Sequence, residues 1–329
     1  MFISLFGAVE SGLIYAIMAL GVYLTFRILD FPDLTVDGSF VTGAAVAALA
    51  IMNGVSPILA TILAIFAGFL AGCITGVLHT KGKINPLLSG ILMMIALYSI
   101  NLRIMGQPTL SLLSESTLWT QLKEFWAKTS IDGWLNNILS STGLEKVPAT
   151  WAIVIVMVVV IVVIKLVIDY FLRTEVGLAL RATGDNQRMI RSLSANTDTL
   201  IIIGVGISNA LVALSGALIA QYGGFADVGM GIGMIIIGLA SVIIGEALFG
   251  TRTIAVATIA IIGGAIIYRI VVTMALRVSF LETGDMKLIT ALLVIVALVA
   301  PKILQTQREK KRRAQKRAAI AKQEKAGEI

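Results

Sequence analysis

The sequence predicts an all-α protein that crosses a membrane about nine times. Three observations predict it. Of 329 residues, 57% are apolar and 14% charged, whereas soluble domains carry about 25% charged residues. The apolar residues gather into runs of the length a helix needs to cross hydrocarbon, roughly 20 residues. Finally, residues 151–164 are nearly continuous Val and Ile, not the alternating apolar and polar pattern of a barrel strand.

The runs fall at about 2–26, 38–52, 56–78, 84–104, 149–172, 198–221, 229–249, 254–276 and 286–304. Nine is the expected count within a range of eight to ten, some of them broken or re-entrant. The first run has no Lys or Arg, so it lacks the basic front of a cleaved signal peptide. The second is short and extends at one end or the other. The transmembrane domain is expected over 1–304, with loops at 105–148 and 173–197, followed by a basic tail at 305–329. Trp119, Phe125, Trp126 and Trp134 in the first loop suit a cap or a helix lying at the membrane boundary.

Charge sets the orientation. Residues 302–329 hold ten Lys or Arg against three Asp or Glu, which accounts for the net +7 of the chain. The excess is a tail, so a nucleic-acid partner is not expected, and the tail reads as a positive-inside signal that also attracts anionic lipid. With the C-terminus cytoplasmic, 18 basic residues lie inside and six outside, the bias that positive-inside topology requires. The N-terminus is then expected outside.

Several chemistries are excluded. One cysteine, Cys73, and one histidine, His79, make neither a disulfide framework nor a Cys/His metal cluster. Gly82-Lys83 is followed by Ile84 and lacks the upstream glycine of a phosphate-binding loop. No Gly-x-Ser-x-Gly accompanies His79. Neither a cofactor nor a catalytic group is expected.

Within the spans, Lys165 and Asp169 stand four apart and suit a local pair. Glu10 and Arg269 fall at similar depth and either pair across two helices or face a cavity, with pairing favoured. Gly68, Gly72 and Gly76 form a close-packing stripe for an internal helix or a second copy of the chain. Asn85-Pro86 suits a helix start whose free N–H groups meet headgroups or a substrate carboxylate. Two stretches interrupt apolar runs on opposite sides: 27–38, with Pro32, Asp30, Asp33 and Asp37, and the glycine-rich 223–233. Each contains Phe-x-Asp, at Phe31–Asp33 and Phe225–Asp227. They are either an inverted repeat with discontinuous helices flanking a transport path or two unrelated turns.

In the 173–197 loop, Gly184 breaks the chain and Asp185 or Asn186 can cap a short helix. Met189, Ile190 and Leu193 would share one face, flanked by Arg188 and Arg191. So short a helix is not stable alone in water. It needs its own bundle or a cytoplasmic partner to pack against.

Val176-Gly-Leu-Ala-Leu-Arg-Ala-Thr-Gly-Asp-Asn, the short helix after it and the small-residue span ending Gly216-Ala-Leu-Ile-Ala-Gln resemble the inner-membrane permease subunits of ABC importers. The resemblance is to the branched-chain amino acid, ribose and nucleoside permease superfamily, in a branch associated with tryptophan or tyrosine uptake. Gly21-Val-Tyr-Leu-Thr-Phe-Arg-Ile-Leu-Asp-Phe-Pro-Asp-Leu-Thr-Val-Asp-Gly-Ser-Phe and His79-Thr-Lys-Gly-Lys-Ile-Asn-Pro-Leu-Leu-Ser-Gly-Ile-Leu are similar to its first span and to the start of its fourth. The likeness implies a bacterial cell membrane and a coupling helix at 184–195, so that Asp185, Asn186, Arg188, Met189, Ile190, Arg191 and Leu193 dock on a separate ATP-hydrolysing subunit dimer, which binds the ATP. It implies an extracellular or periplasmic substrate-binding protein and a second permease copy. Residues 27–38, with Asp33 and Asp37, and Asn85, Asn101 and Asn209 are the candidate path for a small polar solute, an amino acid first, a nucleoside or sugar next. A stand-alone ion-coupled transporter using the acidic 30–37 stretch is the alternative from the residues themselves, and a membrane-embedded enzyme a distant third.

Overall fold

The computed structural model describes residues 2–129, 147–192 and 196–276, with isolated positions at 132, 133, 136, 288, 291, 292, 295, 296 and 299. The ninth expected span beyond those positions, Leu193, Trp134 and the basic tail lie outside the described residues. Eight helical segments among the described residues are long and apolar enough to cross a membrane. They match the first eight expected runs. The chain is a multi-pass membrane protein.

α1 (Phe2–Tyr23) continues into a π-helical turn at Leu24–Ile28. α2 (Thr35–Met52) starts three residues before the expected run. α3 (Pro57–Thr80) and α4 (Pro86–Met105) each begin at a proline, which suits a first turn whose N–H is unpaired in any case. A strand β1 (Thr109–Ser111) and a short helix α5 (Leu118–Ala127) follow. Next come α6 (Ala152–Phe171), α7 (Glu175–Ser192) and α8 (Thr197–Gly223). The chain closes with β2 (Phe225–Asp227), a 3-10 turn at Val228–Gly231, α9 (Met234–Phe249) and α10 (Ile254–Ala275).

α8 is the centre of the bundle because small residues cover it on several sides. The glycine stripe of α3 meets α8: a side chain at Gly68 or Gly72 would strike the Ala213 Cβ or the Val205 carbonyl, and one at Gly76 would come within 2.7 Å of Ile202 Cα. The partner of that stripe is therefore an internal helix. Gly43 of α2 and Gly216 of α8 make the same close approach to each other's helix, against Ala213 and Phe40. α1 is tied to α8 by Ser208 Oγ, which donates to Gly21 O at 2.6 Å, and by Ser215 Oγ, which donates to Ile14 O at 2.9 Å. Close contact of backbones replaces the hydrophobic effect as the source of helix association in lipid.

α4 and α6 are peripheral. α4 buries a stripe at every fourth residue, Ser89, Met93, Leu97, Asn101 and Met105, and leaves Leu88, Leu92, Ile95 and Tyr98 exposed. α6 exposes Val158, Val159, Val162, Val163, Leu166 and Val167. Its ionisable pair forms as expected: Lys165 Nζ lies 2.5 Å from Asp169, which also accepts from Thr258 Oγ1 of α10 at 2.8 Å. Glu10 and Arg269 do not pair. Glu10 accepts from Tyr222 at 2.8 Å, while Arg269 donates to Ser11 and lies 5.1 Å from the Tyr15 ring centroid. Each found a nearer neutral partner on the facing helix. Trp119 of α5 is buried with its indole N–H on Leu218 O, so this helix is pinned to the bundle.

The bundle has two chemically distinct ends. Arg27, Arg181 and Arg252 line one cavity, and Lys83, Arg191 and His79 line another. The other end carries the β1–β2 ladder, in which Thr109 pairs with Asp227 and Ser111 with Phe225.

Candidate functional site

Two helices start inside the bundle. The segment 29–34 leaves the π-helical turn and runs back between the helices, so that α2 begins level with Asn209, near the middle of the 27-residue α8. Asp33 fixes this turn. Its Oδ1 accepts from Thr35 N at 2.9 Å, its Oδ2 from Asn209 Nδ2 at 2.7 Å, and both side chains are fully buried. Thr35 in turn meets Thr75 of α3, hydroxyl to hydroxyl, at 2.8 Å.

From the opposite end, the chain leaves β2 and passes through the 3-10 turn to α9. Gly231 packs against the Asp37 backbone so closely that a side chain there would strike the carbonyl. Asp37, in the first turn of α2, then caps α9: Oδ2 accepts from Gly233 N and Oδ1 from Ile235 N, each at 2.8 Å. A carboxylate satisfies the unpaired N–H groups of a helix start and suits the positive end of its dipole. α2 and α9 thus start close together and run toward opposite ends of the bundle. α9 finishes where Glu246 meets Arg27, and α2 where Ile51 packs in one cluster with Met105 and Leu110.

The two Phe-x-Asp segments share a local geometry. Asp227 Oδ1 accepts from Gly229 N, as Asp33 Oδ1 accepts from Thr35 N, two residues on in both cases. Their wider settings differ, since Asp227 also accepts from Thr109 Oγ1 at the ladder end.

A cavity of about 420 Å³ opens beside the junction, lined by the first turns of α2, the middle of α4 and the 228–232 turn. This is within the usual size range of small-molecule sites, ~300–1,000 Å³. Its wall is mostly apolar, with Val41, Met94, Ile95, Val228 and Ile232. Polar groups are few. Asp37 lines it, and so does Asn101, whose Nδ2 donates to Gly38 O at 3.1 Å while its buried Oδ1 has no hydrogen-bond partner among the described residues. The Asp37 carboxylate keeps lone pairs beyond the two its cap uses. Asp37 therefore offers an acceptor to a bound molecule, with the unpartnered Asn101 oxygen buried in the same wall.

The candidate path residues separate. Asp37 and Asn101 come together at the cavity. Asp33 and Asn209 bond each other behind it and are not among its lining. Asn85 caps α4 by accepting from Leu87 N at 3.0 Å and lines the His79 cavity at the basic end. Asp30 is exposed, with a left-handed φ of 50°. Tyr98 and Ser99, both in the cavity wall, escaped the sequence reading. The signal was available in the four-residue stripe of α4, which turns them away from its buried face.

The loop helix is longer than expected. α7 runs from Glu175 through Gly184, and its break falls at Asn186, where φ is −157° and ψ 89°. Asn186 Oδ1 accepts from Met189 N at 3.1 Å and so caps the second part. Gly184 does not break the helix; it lets α7 lie against the Ile28 carbonyl, where any side chain would collide. Ile190 is buried and Met189 half exposed, so these two do not share a face. Arg191 is held by its own chain, donating to Thr197 at 2.8 Å and Asp198 at 2.9 Å. Asp185, Asn186, Arg188 and Met189 remain exposed.

A family model described as branched-chain amino acid transport system / permease component matches residues 4–299. A tyrosine transport system permease protein of Clostridioides difficile (strain R20291) is 43% identical over 288 residues, 88% of each chain. An uncharacterised protein of Rickettsia prowazekii (strain Madrid E) is 36% identical over 242 residues, 74% of this chain and 76% of its own. Among solved structures, an inward-facing conformation of an ABC transporter provisionally classed as metal-chelate type aligns over 92% of this chain and 85% of its own, with a TM-score of 0.47 and 17% identity.

Proposed function

We propose, given that this chain belongs to the family of branched-chain amino acid transport system permease components and is an ABC permease subunit, that it carries an amino acid, tyrosine first, past the cavity at Asp37 and Asn101. The cargo rests on the similarity to the Clostridioides difficile tyrosine permease. One observation carries the site: a buried amide oxygen without a partner among the described residues shares a mostly apolar cavity wall with a carboxylate. Both are acceptors, and an ammonium group offers three donors and no acceptor. The apolar wall and the Tyr98 ring suit an aromatic side chain. The chain does no covalent chemistry. It supplies two conformations with different affinities for the cargo.

The driving force comes from a pair of separate ATP-hydrolysing subunits that hold the nucleotide and dock against Asp185, Asn186, Arg188 and Met189 on α7. The basic end faces the cytoplasm, with the N-terminus outside. A substrate-binding protein delivers cargo at the ladder end. A second copy of the chain covers the exposed face of α4 and closes the path. The acidic 30–37 stretch does not form an ion site in this reading, because its three carboxylates point to separate places, Asp30 to solvent, Asp33 to Asn209 and Asp37 to the start of α9 and the cavity.

The test is uptake of labelled tyrosine by cells that express the chain with its ATPase and binding protein and have no other tyrosine importer. Asn101→Leu should lower uptake at least tenfold, with membrane abundance and ATPase copurification unchanged. Wild-type uptake in that variant overturns the site. Brisk tyrosine flux through the chain alone in vesicles, following an ion gradient, overturns the mechanism.

A further inference from the structure

At the basic end, the π-helical turn of α1, the first half of α7 and the α9–α10 turn enclose a cavity of about 410 Å³. It is lined by three arginines, Arg27, Arg181 and Arg252, against one acid, Glu246. Both oxygens of Glu246 accept from Arg27, which donates Nε at 2.8 Å and a terminal nitrogen at 2.6 Å in a two-pronged contact. Arg181 and Arg252 have no ion pair and no hydrogen bond among the described residues. The other polar groups are donors as well. The Thr253 hydroxyl accepts from Val256 N at 3.3 Å to cap α10, which leaves its own proton free. Thr251 adds a second hydroxyl, and the 22-residue α10 starts here with its N–H groups and positive dipole end.

Such a wall suits an anion with several acceptor oxygens that two guanidinium forks can share, as a phosphate group offers. Its setting names the source. Leu248 and Phe249, 61% and 54% exposed, stand just before the Thr251–Arg252 turn. On α7, Val176 and Leu178 are exposed five and three residues before Arg181. Both arginines therefore sit within a turn or so of apolar side chains that are about half exposed. In a bilayer those side chains meet acyl chains and the guanidinium groups stand at headgroup depth. A π-helical turn, uncommon and frequent at functional sites, forms the third wall and carries Arg27.

We propose that this cavity binds the phosphate of an anionic phospholipid. The headgroup bridges Arg181 of α7 and Arg252 of the α9–α10 turn. It holds the first half of α7 to the bundle while the part beyond Asn186 stays free to move. The site depends on the chain lying in a membrane and not on the identity of its cargo.

The purified full-length chain in detergent is titrated with phosphatidylglycerol, phosphatidylcholine or inorganic phosphate, with bound lipid counted by native mass spectrometry and stability followed by thermal unfolding. Phosphatidylglycerol should remain bound to the wild type and raise its unfolding temperature, phosphatidylcholine much less. Arg181→Gln with Arg252→Gln should weaken phosphatidylglycerol binding at least tenfold. Arg173→Gln, an exposed arginine at the same end outside the cavity, should leave it unchanged. If the glutamine pair folds poorly, Arg181→Lys with Arg252→Lys keeps the charge without the fork and should still bind more weakly than wild type. Equal binding by wild type and both double variants overturns the site. Protection by millimolar inorganic phosphate equal to that by phosphatidylglycerol overturns the lipid as its source. Loss of ATPase copurification in the double variants with lipid binding intact assigns the arginines to a protein partner and overturns the proposal.

Discussion

The buried contact between Asp33 and Asn209 joins the returning segment after α1 to the middle of α8, and its strength can be measured. Asn209→Ala removes one of two hydrogen bonds to a carboxylate that has no access to water. Asp33→Ala removes both and also frees Thr35 N at the start of α2. A hydrogen bond contributes about 0.5–1.5 kcal/mol, rising to about 3 kcal/mol where its acceptor is ionised. The interaction energy of the pair, taken from Asp33→Ala, Asn209→Ala and the double variant, should fall in that range. At 1.4 kcal/mol per factor of ten, this is roughly a 2- to 150-fold effect on the unfolding equilibrium. The assay is denaturant unfolding in detergent micelles followed by tryptophan fluorescence, since Trp119 packs against α8 at Leu218. Because neither residue lines the cavity, tyrosine uptake per folded molecule should change less than threefold in Asn209→Ala. A coupling energy below about 0.5 kcal/mol, the level at which unconnected sites already add, would show that the contact does not hold the two segments together.

Other expectations follow from contacts of the same kind. Asp169→Leu strands Lys165 among apolar neighbours and should destabilise the chain by about 3–5 kcal/mol; adding Lys165→Met should recover most of that loss in the same unfolding assay. Gly72→Ala places a methyl group against the Val205 carbonyl and within 2.8 Å of Asn209 Cβ, so it should lower the thermal midpoint in detergent. Gly7→Ala, whose nearest neighbour would be Tyr222 Oη at 3.9 Å, should be neutral or stabilising by up to ~1 kcal/mol, the ordinary helix gain. Arg188→Glu with Met189→Asp alters exposed side chains of α7 and should abolish copurification of the ATPase without shifting the thermal midpoint.

Much of the fold was legible in the chain before its structure. A span is recognised by summing side-chain transfer energies over about 20 residues, and that sum needs no knowledge of neighbours. The same holds for local devices: the Lys165–Asp169 pair lies on one helix face, Asn85 caps the turn that follows it, and Asn186 caps the turn leading to Met189. The break in α7 was misplaced at Gly184 because a glycine is read as a local interruption, whereas here it serves contact with the Ile28 carbonyl of another element.

The sites were less legible, and for the opposite reason. A buried polar group must find a partner, but which one depends on the helices that happen to cross there. Asp33 meets a residue 176 positions away and Asp37 a helix start 196 positions away. Glu10 and Arg269, matched in depth, went instead to Tyr222 and Ser11. The order of residues along the chain was enough to place it in a bilayer, to set how long its spans are and to show where its basic residues collect, because those properties add residue by residue. Tertiary structure alone decided that two helices start back to back in the bundle, that Asp37 and Asn101 share a cavity while Asp33 and Asn209 bond each other away from its lining, and that Arg181 and Arg252 meet no carboxylate among the described residues. Hydrogen bonds and ion pairs are short-ranged and directional, so their outcome is fixed only when distant segments are brought within about 3 Å of each other.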